Sequence, residues 1–471
     1  MSESILQIAT DLVMKICRRA ENGEIRDLDI LAESVLNDCR DASIQVIEEI
    51  IRHMNEGFRG DKQNRRSMGL VIKEKDRPRS LLTALGQVNY NRDYFYDKNM
   101  GQYAYILDQA LGVEKYVRIG AALGAELVSR ATEVSYAKSA EIVTGGAVSR
   151  QSVRNHILKM RTPEIETDGK KRIVEELHIF ADEDHAHMQK PKKKKGKQSR
   201  IIPLVTVTEG VKQESKNRNR TIGATHISDE DLDTKKLWKS VEGYLSKRYE
   251  LSSLKRIYLH GDGGGWIKGG LENFPQTVRV MDGFHFHKEL RKVSRLLPQR
   301  NVRIALLNAI RYDDRKRADE YLQSLLEEEL SDKDAEKIRK FAVYLLGNWE
   351  EIRLRICDES LPGSCTEGLV SQVLSKRFSR DPLGWGEKAL GKLVMARLYR
   401  KNGGKIKKEH FLGKDDRQER YSEYADRLID EHIKGAMDFS IFEPEMPVFN
   451  GASGTQINIH GIGMMRNPWI N

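Results

Sequence analysis

The stretch Arg256-Ile257-Tyr258-Leu259-His260-Gly261-Asp262-Gly263-Gly264-Gly265-Trp266-Ile267-Lys268 constrains this chain more than any other. A short apolar run leads to an aspartate, and three glycines follow before an amphipathic segment begins. That is the pattern of a buried strand delivering one carboxylate to its end, where α/β enzymes keep their chemistry. The glycines do not make a nucleotide loop. Gly-x-Gly-x-x-Gly spacing is absent, and Ile267 precedes Lys268 where a P-loop requires glycine. They do allow another backbone to come close to Asp262. A lone aspartate at a strand end is ordinarily a helix cap, so a role in chemistry needs companions.

Two companions are present. Upstream, Leu177-His178-Ile179-Phe180-Ala181-Asp182-Glu183-Asp184 is another apolar run that terminates in carboxylates, with its first strand expected to end at Asp182. Downstream, Ser364-Cys365-Thr366-Glu367-Gly368-Leu369-Val370-Ser371 places Glu367 at the start of a helix running through Val370, Val373 and Leu374, with Ser364 or Thr366 as its expected cap. Two strand-borne aspartates and a helix-borne glutamate are the carboxylate set that holds two Mg²⁺ ions in an RNase H-like fold. The expected fold class is an α/β RNase H-like catalytic domain with an all-α insertion. A mainly helical N-terminal region containing a helix-turn-helix is expected to precede it.

The phrases Ala181-Asp182-Glu183-Asp184-His185, Gly261-Asp262-Gly263 with Trp266-Ile267-Lys268, Asp282-Gly283-Phe284-His285, and Glu367-Gly368 with Val370-Ser371 before Arg377 and Gly384-Trp385 are specific when taken together. In them the chain resembles a bacterial insertion-sequence transposase of the ISLre type, related to Mutator-type transposases, from about Leu81 to about Gly404. The resemblance implies Asp-Asp-Glu roles for Asp182, Asp262 and Glu367 as catalytic metal ligands, with Mg²⁺, or Mn²⁺, as cofactor. It implies cleavage and strand transfer on double-stranded DNA, both the element's terminal repeats and target DNA, by a homo-oligomer. Asp282 with His285 resembles the Cys-or-Asp, two residues, His element of Mutator-type enzymes. Because magnesium prefers oxygen, the pair is expected to support the metal site from behind its ligands. Gly264 stands where the family usually has alanine after the second aspartate-glycine pair.

Charge refines the choice of partner. The chain of 471 residues carries a formal charge of +10 and a pI near 9.1, a moderate excess, so its location matters more than its total. Lys190 to Arg200 is a cationic run without an acid, containing Lys192, Lys193, Lys194 and Lys195, and is expected to contact DNA phosphates. Lys376, Arg377 and Arg380 begin a further basic series that continues through Arg397 and Arg400 and is expected on the surface. The four cysteines are scattered without zinc spacing, and no apolar run reaches the roughly 18 residues of a membrane span. Reduced thiols, a cytoplasmic, nucleoid-associated setting and no membrane partner are the expectation.

In order, residues 1–80 are expected to be two amphipathic helices followed from Gly60 to Ser80 by a basic linker, and 81–170 a DNA-binding region. Within the latter, Val88 to Tyr96 alternates as a strand or hairpin does. The segment from Ser135 to Ile157 is a helix, a glycine turn and a Ser-capped second helix, which fits a helix-turn-helix with Arg150, Gln151 and Arg154 reading DNA. Residues 171–296 are expected to open the catalytic domain, 297–360 to be a helical insertion, 361–442 to complete the domain, and 443–471 to be an irregular tail. A different enzyme class is also open, a metallohydrolase using Asp184, His185, His187, His260 and Asp262. So is a non-catalytic DNA-binding protein derived from a transposase.

Overall fold

The computed structural model describes residues 1–22, 27–165, 169–189, 198–215, 218–381, 383–412 and 416–428. The cationic loop with Lys192 to Lys195 and the tail 443–471 lie outside the described residues. The chain divides into two units, Met1–Arg118 with Asp415–Asn471, and Ile119–Lys414.

The first unit is built on the helices Ser2–Glu21 and Leu28–Gly60, the second capped by Asp27, whose carboxylate accepts the N–H groups of Asp29 and Ile30. A short helix, Lys62–Ser67, leads into an antiparallel sheet of β1 (Leu70–Leu82), β2 (Gln87–Asp97) and β3 (Gln102–Ala104). The expected linker is therefore mostly a strand. Its charge misleads at Arg79, which buried Asp108, an acid distant in sequence that also pairs with Arg92 of β2, neutralises. Phe58, Phe95, Ile106 and Leu107 form the core, and the helix Asp416–Leu428 joins it through Tyr421, whose hydroxyl donates to Asp97 at 2.6 Å.

The second unit opens with three helices, Ala121–Ala131, Tyr136–Thr144 and Arg150–Lys159. Ser135 and Ser149 cap the last two through the N–H groups of Lys138 and Ser152, and Gly145, at φ 59°, closes the helix before the turn. Strands β4 (Glu176–His187), β5 (Ser199–Thr208), β6 (Gly210–Ser215), β7 (Arg218–Ile222), β8 (Thr225–Ile227), β9 (Arg256–Gly261) and β10 (Thr277–Met281) follow. Five of them make a mixed sheet in the order β10-β9-β4-β5-β8, and β6 with β7 is a separate hairpin. β4 is parallel to β9 and β9 to β10, whereas β5 is antiparallel to both β4 and β8. This is a mixed α/β unit rich in helices.

β4 does not stop at Asp182 but runs on to His187, because its ladder with β5 extends from His178↔Thr208 to His187↔Ser199. Alternation sorts its side chains. Leu177, Ile179 and Ala181 pack with Leu237, Val241 and Leu245 of the helix Thr234–Arg248, while His178, Phe180, Asp182 and Asp184 take the opposite face. The helix Gly283–Ser294 connects the sheet to four further helices, Val302–Arg311, Arg315–Leu326, Asp332–Gly347 and Trp349–Cys357, through a core containing Phe286, Leu290 and Val293. The helix Thr366–Val370, which carries Glu367, lies against β4. Neither expected cap serves it: Cys365 occupies the cap position without a side-chain bond, Ser364 turns to Asp282, and the buried Thr366 hydroxyl has no partner.

The basic series after Glu367 is not all surface. Arg377 is buried, donating from Nε to the Ala131 carbonyl at 2.8 Å with its guanidinium 4.7 Å above the Trp385 ring. Arg397 is buried as well, bonded to the carbonyls of Val373, Gln372 and Thr132 and paired with Glu133 at 2.8 Å. These cations tie helices together, whereas Lys376 and Arg380 remain exposed.

Candidate metal centre

Strand register brings the aspartates together. β4 and β9 pair in parallel up to Phe180↔His260, so two residues further on Asp182 and Asp262 stand level. β10 and β9 pair up to Met281↔Gly261, which puts Asp282 at the same height as Asp262. Asp262 and Asp282 thus directly follow the C-terminal ends of β9 and β10, level with Asp182 in the middle of the parallel neighbour β4. Asp262 Oδ1 accepts the Gly264 N–H at 2.8 Å, and the intervening Gly263 has φ 87° with a Cβ position only 2.8 Å from Asn348 Oδ1. Glycine is required in that turn for both reasons.

Asp282 serves as a cap. Its Oδ1 accepts the N–H groups of Phe284 and His285 at 2.9 and 3.1 Å, and its Oδ2 accepts the Ser364 hydroxyl. The first turn of the helix is thereby fixed, and with it His285. The imidazole Nε2 lies 3.9 Å from Asp182 Oδ2 and, though buried, has no hydrogen-bond partner. Ligand atoms from Asp182, His285 and Glu367 all lie within 4.8 Å of one another, the only such three-residue group among the described residues. This set fits a divalent cation: two carboxylates supply hard oxygen donors, and the unpartnered nitrogen admits manganese or zinc more readily than magnesium alone would require.

Electrostatics point the same way. Burial pushes the Asp182 carboxyl up to about 6, and the neighbouring Asp262 and Asp282 charges add to the rise, while the Glu183 N–H and His285 oppose it. The same two aspartates, after burial itself, push the Tyr344 phenol upward. Asp184 shares the face of Asp182 and is also buried, with Oδ2 unpartnered. Carboxylates gathered and desolvated without a cation are costly, and a bound metal would reverse that cost.

The chain matches the family described as Uncharacterised protein family (UPF0236) over residues 21–415. It belongs to that family. Two similar relatives are UPF0236 proteins of Caldanaerobacter subterraneus subsp. tengcongensis. One, whose name joins eleven labels from TTE0033 to TTE2212, is 32% identical over 77% of this chain and 75% of its own length. The other, TTE2489, is 32% identical over 77% of this chain and 76% of its own. Among solved structures, a chain of the Drosophila P element transposase strand transfer complex aligns over 71% of this chain and 94% of its own, at 10% identity and a TM-score of 0.20, too low a likeness to carry an argument. Among the described residues no helix is long and apolar enough to cross a membrane.

In this UPF0236 chain, then, Asp182 and Glu367 converge, Asp262 flanks them, and His285 comes closer than expected, its ring nitrogen standing among the carboxylate oxygens. The cap spacing from Asp282 to His285 was the available signal. The His/Asp alternative does not assemble. His185 and His187 alternate away from Asp184 to the exposed side of the strand, and His260 is buried against Phe180, with ring centroids 4.6 Å apart. Burial, then the His178 and Arg355 charges, hold its pKa well below the ordinary value. Arg150 and Gln151 are exposed at the start of the helix Arg150–Lys159, Gln151 bonding Asn155 at 3.0 Å, and Arg154 is partly buried.

Proposed function

We propose that this chain is a DNA transposase of the Asp-Asp-Glu type, similar to ISLre elements, with an RNase H-like catalytic domain that cleaves element ends and joins them to target DNA. The observation that carries this reading is the level placement of Asp182 and Asp262 on adjacent parallel strands with the Glu367 helix laid against β4. Strand order supports it too: in chain order the five strands stand 3-2-1-4-5, the first three antiparallel and the last two parallel to the first, which suits an RNase H-like fold. A relative whose name joins eleven labels within one organism is what a gene that copies itself would leave.

Asp182, Asp262 and Glu367 would hold the cation, with His285 able to complete the set. A bound Mg²⁺ or Mn²⁺ supplies charge stabilisation on the phosphate and lowers the pKa of the attacking hydroxyl. The chain's own contribution is position. The sheet sets Asp182 and Asp262, and the Asp282 cap sets His285. The partly buried carboxylates gain strength as ligands because little water competes for them. Arg150 and Gln151 would read terminal DNA, while Lys376 and Arg380 would contact phosphates.

The test is incubation of purified protein with duplexes bearing the element's flanking ends, with and without Mg²⁺ or Mn²⁺. Metal-dependent nicking at the element boundary is expected. Absence of cleavage by a folded, DNA-bound protein in both metals would refute the assignment.

A further inference from the structure

Three arginines converge on a cavity of about 460 Å³ that the chemistry above leaves unused. Arg291, Arg303 and Arg355 line it with His287, Phe284 and Ser364, and no carboxylate contributes to the wall. Among the described residues none of the three guanidinium groups is in an ion pair. Arg291 donates to the His287 carbonyl at 3.1 Å and Arg355 to the Pro362 carbonyl at 2.6 Å, bonds that position the cations without neutralising them, while Asp282 and Asp358 act on Arg355 from outside the wall and only partly offset the effect of its burial. Their mutual proximity shows in His287, whose pKa is lowered by burial and then by Arg303, Arg291 and Arg355 together. Gathering like charges is unfavourable unless an anion sits among them.

We propose that this cavity binds a phosphate group. Guanidinium groups match phosphate oxygens in planar, bidentate geometry, and three of them facing one space suit a tetrahedral dianion or a phosphodiester better than a planar carboxylate. The cavity is large enough for the attached sugar. Phe284, exposed at its rim with Lys288 5.7 Å from the ring centroid, offers an apolar face to that sugar or its base. Ser364 belongs to the cavity wall and also donates to Asp282, so the pocket adjoins the carboxylate centre. On the reading of the chain as a transposase, the group held here is a phosphate of the DNA strand that flanks the reacting one. A free nucleotide would present the same chemistry.

The test is run in EDTA, where no cleavage occurs, so its result does not depend on the metal chemistry. Binding of a short labelled duplex is followed by anisotropy across a salt series, and binding of inorganic pyrophosphate by calorimetry. The Arg291→Ala/Arg303→Ala protein removes two exposed cations, Arg355→Gln the half-buried one, and Arg339→Ala/Lys340→Ala, exposed residues that do not line the cavity, is the charge-matched control. The cavity double variant should bind duplex about tenfold more weakly at moderate salt and shift the logarithmic salt slope by about one, the value of one phosphate. The control should change far less. Weakening of duplex binding alone assigns the pocket to DNA, and weakening of pyrophosphate binding alone assigns it to a free nucleotide. Unchanged binding of both probes, or an equal loss in the control, would overturn the proposal.

Discussion

Replacing Asp182 by asparagine should stabilise the metal-free protein at neutral pH. The substitution keeps the shape of the side chain and, with its amide oxygen turned to the Glu183 N–H, keeps the 2.8 Å bond that Oδ1 now accepts. What it removes is an ionisable group whose native pKa is raised from 3.8 to about 6, chiefly by burial. Each unit of difference between the folded and unfolded pKa corresponds to about 1.4 kcal/mol, so the ionised carboxylate costs the native state on the order of 3 kcal/mol. The sign follows from the raised value. Below about pH 3.8 the group is neutral in both states and the cost is absent. It grows as pH rises to about 6 and is complete above that. Chemical denaturation in EDTA between pH 3 and 7.5 should therefore show wild type and Asp182→Asn nearly equal at the acid end, with the variant more stable by up to about 3 kcal/mol at the neutral end. Added Mn²⁺ should reverse the ranking once it reaches about one thousand times its dissociation constant, where it contributes about 4.1 kcal/mol to the protein that binds it. Parallel pH profiles, or an asparagine variant less stable than wild type at pH 7.5 without metal, would refute the reasoning.

Asp182→Ala, Asp262→Ala and Glu367→Ala should each reduce cleavage and strand transfer by orders of magnitude while DNA binding, read by gel shift, survives; Asp184→Ala should be milder, and the opposite ranking of Asp182 and Asp184 would move the first ligand along the strand. Arg150→Ala/Gln151→Ala should blunt discrimination between terminal and random duplex in competition binding, whereas alanine at Lys192 to Lys195 should weaken both DNAs alike and flatten the salt dependence. Arg397→Met should destabilise the second unit by about 3–5 kcal/mol in denaturant titration, since it strands the buried carbonyls of Thr132, Gln372 and Val373 and leaves Glu133 without its closest cation.

The sequence alone determined what is local. Short apolar runs leading to carboxylates marked the strands at Asp182 and before Asp262, Ser149 marked a helix start, and the density of helix formers marked residues 297–360 as helical. Each of these signals lies within a few residues of the structure it produces. Tertiary structure decided whatever depends on a distant partner. Residues 70–80 became strand instead of linker because β2 was there to pair with them and buried Asp108 receives Arg79. Arg377 and Arg397 left the surface because carbonyls of Ala131, Thr132 and Val373 receive them. β4 ran past Asp182 because β5 was there to pair with it, and Ser364 gave up capping its own helix to bond Asp282. The site itself belongs to this second class. Strand register levels Asp182, Asp262 and Asp282, and the Asp282 cap turns His285 towards Asp182 and Glu367. Spacing along the chain carries no record of which strands will be neighbours or where their ladders begin, because those are set by the packing of apolar faces contributed by segments as far apart as Leu177 and Phe274.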